Sequence, residues 1–188
     1  MTIMKTLIIV THPDITSSVV NKRWVEELEK FPEKYVIHQL HRVYPTGEID
    51  VFAEQRLIEQ YDKIIFQFPF YWFSCPGFLK KWMDEVLTHG WAYGSKSGYK
   101  MSGKRIGLAM SVGVDEHEYQ ENEKYKYTIQ ELLRPFELSF AYVKAAYQPF
   151  FAFYGLEYNA TAERVAQSVP AYLAYLESID AVDMNCPV

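Results

Sequence analysis

The chain of 188 residues is short of several things, and each shortage removes a class of protein. It has two cysteines, Cys75 and Cys186, far apart and without metal-ligand spacing, which argues against a disulfide scaffold and fits a reducing compartment. No stretch approaches the roughly 20 apolar residues needed to span a bilayer. The opening segment 1–10 carries one lysine and too short an apolar run for a secretory signal, so a cytoplasmic protein is expected. Basic residues never cluster beyond a pair and the net charge is -5, so the electrostatic footprint of nucleic-acid binding is missing. Neither a G-x-G-x-x-G fingerprint nor a Walker lysine occurs. His38 and His41 stand three apart on an expected strand, hence on opposite faces, and His89 and His117 stand alone, so no metal site is expected.

What the chain has in quantity is aromatic residues: 12 Phe, 15 Tyr and 4 Trp make up 16% of it. An aromatic-rich core accounts for that share, and so does a flat-ring ligand or an aromatic interface. Hydrophobic residues at 49% and charged residues at 23% are ordinary for a globular protein, and the length fits a single domain over 1–188 with 180–188 as a tail.

Short apolar runs at residues 5–10, 35–40, 64–68, 106–110 and 147–154 read as five strands. Between them lie helical patterns. Val20, Trp24, Val25, Leu28 and Phe31 recur at helical spacing, with Ser17 or Ser18 as N-cap and Pro32 beyond the end. Residues 51–60 form a second helix, and Phe78, Leu79, Trp82, Met83 and Val86 face one side of a third that opens at Pro76. Residues 128–140 are helical with a disturbance at Arg134-Pro135, and 161–179 form the last helix. Strands alternating with helices imply an α/β fold with an open five-stranded parallel sheet and helices on both faces. The order taken for it is the flavodoxin-like 2-1-3-4-5. In that order a ligand sits at the carboxyl ends of the central strands, where the order switches.

Three loops meet there. The first, 12–21, joins a buried strand to a helix N-terminus, where free N–H groups and the helix dipole suit a phosphate and His12, Thr16, Ser17 and Ser18 add donors. A simple helix cap accounts for the same residues equally well. The second places four consecutive aromatics, Phe70, Tyr71, Trp72 and Phe73, just beyond a buried strand. Rings there are costly to leave in water, and a planar heteroaromatic cofactor explains them better than core packing does. In the third, Ser111-Val112-Gly113-Val114, the glycine allows close approach of backbone to a ring.

Together these segments resemble the flavodoxin-like NAD(P)H:quinone reductases, a family that includes bacterial general-stress flavoproteins and ancillary subunits of glutathione-gated potassium efflux systems. The resemblance covers nearly the whole chain. It is carried by His12-Pro13-Asp14 with Ser18 and Asn21, by Phe70 to Phe73, by Lys81-Trp82-Met83-Asp84 followed by His89-Gly90-Trp91-Ala92-Tyr93-Gly94, and by residues 128–137.

The resemblance implies FMN, or FAD, as cofactor, with NADH or NADPH as co-substrate and a quinone-like acceptor served by ping-pong hydride transfer. It assigns His12, Ser18, Val19, Val20 and Asn21 to the flavin phosphate. It assigns Phe70, Tyr71, Trp72 and Phe73 to one edge of the flavin ring, and Ser111, Val112, Gly113 and Val114 to its other side. Tyr119 becomes the catalytic candidate. Two departures stand out: the family's Thr-Thr-Gly-Gly loop reads Ser111-Val112-Gly113-Val114 here, and Tyr125 occupies the place of a histidine that partners the tyrosine in some members. A Tyr-His relay is therefore not carried over. The loop 91–99 resembles a segment that contacts the second subunit, which implies a homodimer. The family also contains flavin-binding regulatory subunits that associate with a membrane transporter, an alternative to the enzyme reading. A one-electron carrier is a further rival, though such carriers are shorter and more acidic.

Overall fold

The computed structural model describes residues 5–96 and 98–181, without the side chains of 180 and 181. Its central strands are β1 (Thr6–Val10), β3 (Lys63–Pro69) and β4 (Arg105–Ser111), with β2 (Tyr35–Gln39) outside β1. All pair in parallel, and Ile8 sits opposite Ile37 on one side and Ile65 on the other. β1 and β3 are buried at every residue, as strands covered on both faces must be. Side chains alternate between two cores: Leu7, Ile9, Ile64, Phe66 and Phe68 enter one, Ile8, Val10 and Ile65 the other.

The first core is covered by α3 (Val51–Glu59), α4 (Gly77–Val86), α5 (Ile129–Leu132) and α6 (Arg134–Tyr142), and the second by α1 (Val20–Leu28) and α7 (Ala162–Ala181). α1 buries the stripe Val20, Trp24, Val25 and Leu28. Trp24 packs on Tyr172 of α7 with ring centroids 4.7 Å apart and donates from Nε1 to Ser168 Oγ at 2.8 Å. The order β2-β1-β3-β4, with the fifth strand beyond β4, is the flavodoxin-like order expected.

Four details differ from the expectation. The fifth strand is two short pieces, β5 (Ala146–Tyr147) and β6 (Phe151–Phe153), both pairing with β4. Pro149 lies between them and has no N–H to give the ladder. The short helix α2 (Leu40–Val43) follows β2, too brief to leave a periodic signature, and it carries His41, which is therefore off the strand. The helical stretch after residue 128 divides at Leu133, so Arg134 and Pro135 begin α6 rather than bend one helix. α7 continues through Ala181, so residues 180 and 181 are helix rather than tail, and 182–188 lie outside the described residues.

Candidate functional site

The carboxyl ends of β1, β3 and β4 open into a cavity of about 340 Å³, lined by His12, Ser18, Val19 and Val20, by Phe70 and Tyr71, and by Ser111 and Gly113. All three loops contribute to it. A smaller recess of about 150 Å³ continues along the same edge between Phe70, Trp72, Phe73, Gly113, Val114 and Tyr119.

The first loop is organised by Asp14. Its Oδ1 accepts from Thr16 N at 3.1 Å and Thr16 Oγ1 at 2.5 Å, and its carbonyl accepts from Ser17 Oγ at 3.0 Å. The Thr16 and Ser17 hydroxyls are thus spent within the loop, contrary to the expectation that they face a ligand. Ser18 Oγ accepts from Asn21 N at 3.1 Å, a cap on the first turn of α1. The N–H groups of Val19 and Val20 have no acceptor among the described residues, which leaves the positive end of the helix facing the cavity. His12 Nδ1 accepts from Asp14 N at 3.2 Å, so the neutral ring carries its proton on Nε2. Burial lowers the His12 pKa, outweighing the opposing effect of Asp14 and keeping the ring neutral.

The second loop is strained. Trp72 and Phe73 lie in the left-handed region, with φ of 50° and 60°, at a cost on the order of 1–3 kcal/mol each. Their N–H groups, and those of Gly113 and Val114, likewise find no acceptor among the described residues. Trp72 is 93% exposed, whereas Phe70 is buried against Tyr119. The tight geometry belongs to the aromatic loop and not to the third loop: neither Gly113 nor Val114 has a positive φ, so Val114 needs no glycine-like freedom.

Two predicted contacts stand behind the cavity wall. Asn21 is buried; its Nδ2 donates to Ser111 Oγ at 2.8 Å, and its carbonyl accepts from Gln67 Nε2 at 3.1 Å. Gln67 Oε1 accepts in turn from Tyr172 Oη at 2.9 Å. This chain ties the first loop, β3, the third loop and α7 together, making Asn21 a brace rather than part of the lining. Val112 is fully buried in the core.

Tyr119, at the end of a 3-10 turn (Glu116–Glu118), is buried and stacks at 4.9 Å on Tyr125, the residue in the histidine's place. Its pKa is pushed up to about 12 by burial first, then by Tyr125, Glu118 and Glu157, so at neutral pH its hydroxyl is a donor. That hydroxyl makes no hydrogen bond among the described residues.

Sequence reasoning missed a fourth segment, 154–160, which contributes Leu156, Glu157 and Ala160 to the main cavity. Glu157 N donates to Gly113 O at 2.8 Å, and a Cβ built on Gly113 would lie 2.6 Å from Glu157 Oε1. The bare α-carbon of Gly113 thus makes room for Glu157. No local signal marks these residues, because they arrive through the irregular end of the split strand. The rings of loop 91–99, which by resemblance contact a second subunit, have partners within the chain as well. Trp91 Nε1 donates to Glu59 Oε1 at 2.8 Å, Tyr93 packs on Tyr142, and Tyr99 lies under Lys144.

Sheet order and crevice together define a doubly wound α/β protein whose cavity lies at the switch point of the strand order. The chain belongs to the flavodoxin-like fold family, whose model matches residues 4–176. It is 43% identical to the uncharacterized NAD(P)H oxidoreductase YrkL of Bacillus subtilis, over 93% of this chain and 99% of that protein. Among solved structures, general stress protein 14 of Treponema denticola in complex with FMN is 45% identical with a TM-score of 0.87, covering 93% of this chain and 99% of its own. An NADPH-quinone reductase of P. pentosaceus is 35% identical with a TM-score of 0.81, covering 92% and 98%.

Proposed function

We propose that the chain is a flavin-dependent NAD(P)H oxidoreductase that binds FMN in the 340 Å³ cavity and reduces quinone-like acceptors. The observation that carries this reading is the convergence of three loops with unpartnered N–H groups on one cavity beside an aromatic recess. These residues fit FMN: a helix N-terminus for the phosphate, backbone donors for the polar rim of the ring, and side-chain rings for its faces. The FMN-bound relative at 45% identity and the oxidoreductase relative at 43% support the same reading.

When bound, the flavin supplies hydride transfer from the nicotinamide donor to the acceptor. The chain's own residues bind and orient. Val19 N–H, Val20 N–H and the Ser18 hydroxyl hold the phosphate, and neutral His12 adds a donor at Nε2. The Gly113 and Val114 N–H groups, open at the cavity and its recess, would hold the polar rim of the ring and stabilise negative charge there. Tyr119, protonated at neutral pH, donates an orienting hydrogen bond to the acceptor and transfers no proton through a histidine relay.

Titration of the purified protein with FMN and with riboflavin, read by quenching of flavin fluorescence, tests the proposal. Micromolar or tighter FMN binding that exceeds riboflavin binding is expected; no quenching, or equal affinity for both, overturns it. Stopped-flow mixing with NADH or NADPH, then with a quinone, measures the two half-reactions. Co-purification with a potassium-efflux transporter, without quinone reduction, would shift the reading to the regulatory alternative. We also propose a cytoplasmic location and a homodimer. A groove of about 340 Å³ between α4 and α6, flanked by Leu138 at 70% and Tyr142 at 67% exposure, supplies the apolar face a second copy needs. Light scattering at micromolar concentration checks the dimer.

A further inference from the structure

Glu157 is the one charged side chain shared by the main cavity and the aromatic recess. Its segment is fixed by backbone: Glu157 N donates to Gly113 O at 2.8 Å, Gly155 N to Val114 O at 2.9 Å and Leu156 N to Val112 O at 3.3 Å. The carboxylate therefore lies against the same stretch whose Gly113 and Val114 N–H groups are open to a ligand.

Nearby cations are engaged elsewhere. Arg164 donates to the carbonyls of Gly155 at 3.2 Å, Asn159 at 2.9 Å and Tyr154 at 2.6 Å, and Lys124 pairs with Glu118 at 2.9 Å. No cation pairs with Glu157 among the described residues. Lys124 offsets Glu118, and Arg164 stands beside Asp115 at the Gly155 α-carbon, which leaves Glu157 as the unpaired carboxylate against the third-loop donors among the described residues.

We propose that Glu157 sets the electron affinity of the bound flavin, its carboxylate at the third loop disfavouring the reduced cofactor relative to the oxidised one. The inference rests on the flavin reading above. Two electrons from the nicotinamide donor and one proton leave a single negative charge on the ring, and a carboxylate against the same loop repels it. Glu157 is solvent-exposed, so water screens the repulsion to a modest effect. The Gly113 and Val114 donors pull the other way, and the balance between donors and carboxylate places the cofactor's potential.

Potentiometric titration of FMN-loaded protein tests this in wild type, in Glu157→Gln and in Glu33→Gln, a control on the exposed turn before β2. Glu157→Gln is expected to favour reduced over oxidised FMN by about tenfold, a positive shift of about 30 mV for a two-electron couple. Oxidised FMN should bind within about threefold of wild type, the Glu33 variant should titrate like wild type, and high salt should shrink the difference. An unchanged potential in Glu157→Gln, or an equal shift in both variants, overturns the proposal. Wild-type protein that binds no FMN removes the functional reading and this inference with it, a result distinct from bound FMN with an unmoved potential.

Discussion

The two edges of the sheet treat their backbone groups in opposite ways. At the amino edge, strand ends and helix ends satisfy each other. Thr6 N donates to Lys34 O at 2.8 Å and Arg105 N to Asp62 O at 2.7 Å, while Lys63 Nζ reaches Leu176 O at 2.5 Å and Arg105 Nη1 reaches Ile179 O at 3.2 Å. Both of those cations lie against carbonyls in the last turns of α7, where the helix dipole is negative. At the carboxyl edge the helix start is left open, the aromatic loop holds two residues in the left-handed region, and a carboxylate stands without a cation among the described residues. One edge is closed by its own contacts and the other is left open, as the proposed function requires. Substitutions should therefore separate into those that change unfolding and those that change binding.

The largest expected effect is on the packed side. Gly107 of β4 faces α7, and a side chain there would meet Tyr175 Oη, Ile65 Cδ1 at 2.8 Å and Ile179 Cδ1 at 2.9 Å. Gly107→Val should lower unfolding stability by about 3 kcal/mol through overpacking, read as a lower urea midpoint. Wild-type stability in that variant would mean that α7 is free to shift away from the sheet.

Ser18→Asp probes the open edge. Aspartate caps a helix as well as serine does, so the urea midpoint should hold. A second negative charge against the phosphate should weaken FMN by about a hundredfold while leaving riboflavin much less affected. Parallel loss of both ligands would show damage to the fold instead.

Glu54 tests satisfied burial away from either edge. It is 1% exposed and accepts from His38 Nε2, Tyr44 Oη and Trp82 Nε1, each at 2.7 Å. Burial alone would raise its pKa, but His38, Tyr44 and Trp82 together outweigh that and hold it below the ordinary value of 4.5. A carboxylate with a depressed folded pKa contributes stability above its unfolded pKa and loses it as pH falls through the folded one. Glu54→Gln should cost about 2 kcal/mol at neutral pH and flatten the loss of stability below pH 4.5. An unchanged acid-unfolding profile would remove this carboxylate from the linkage.

The smallest effect concerns Tyr119. Removing its hydroxyl in Tyr119→Phe keeps the stacked ring, so flavin affinity should stay near wild type. The flavin-to-quinone half-reaction should slow by roughly fivefold, about 1 kcal/mol of hydrogen bonding felt in the transition state. Stopped-flow rates equal to wild type in both half-reactions would leave Tyr119 a packing residue.

Sequence alone determined the sheet, because a parallel sheet buried on both faces writes itself as short apolar runs separated by helical stripes. The runs holding Ile8, Ile65 and Leu108 were legible for that reason, and so were the loops that follow them. Ser18, Phe70 and Gly113 were thus placed in the cavity region before any side chain was. Tertiary structure decided what the loops do with their polar groups. It spent Thr16 and Ser17 on Asp14, turned Asn21 into a brace between Gln67 and Ser111, and brought Glu157 across the split strand onto Gly113. Local pattern reports which face of an element is apolar; it carries no record of which distant donor meets which acceptor, since those pairings exist only once the strands and helices have closed on one another.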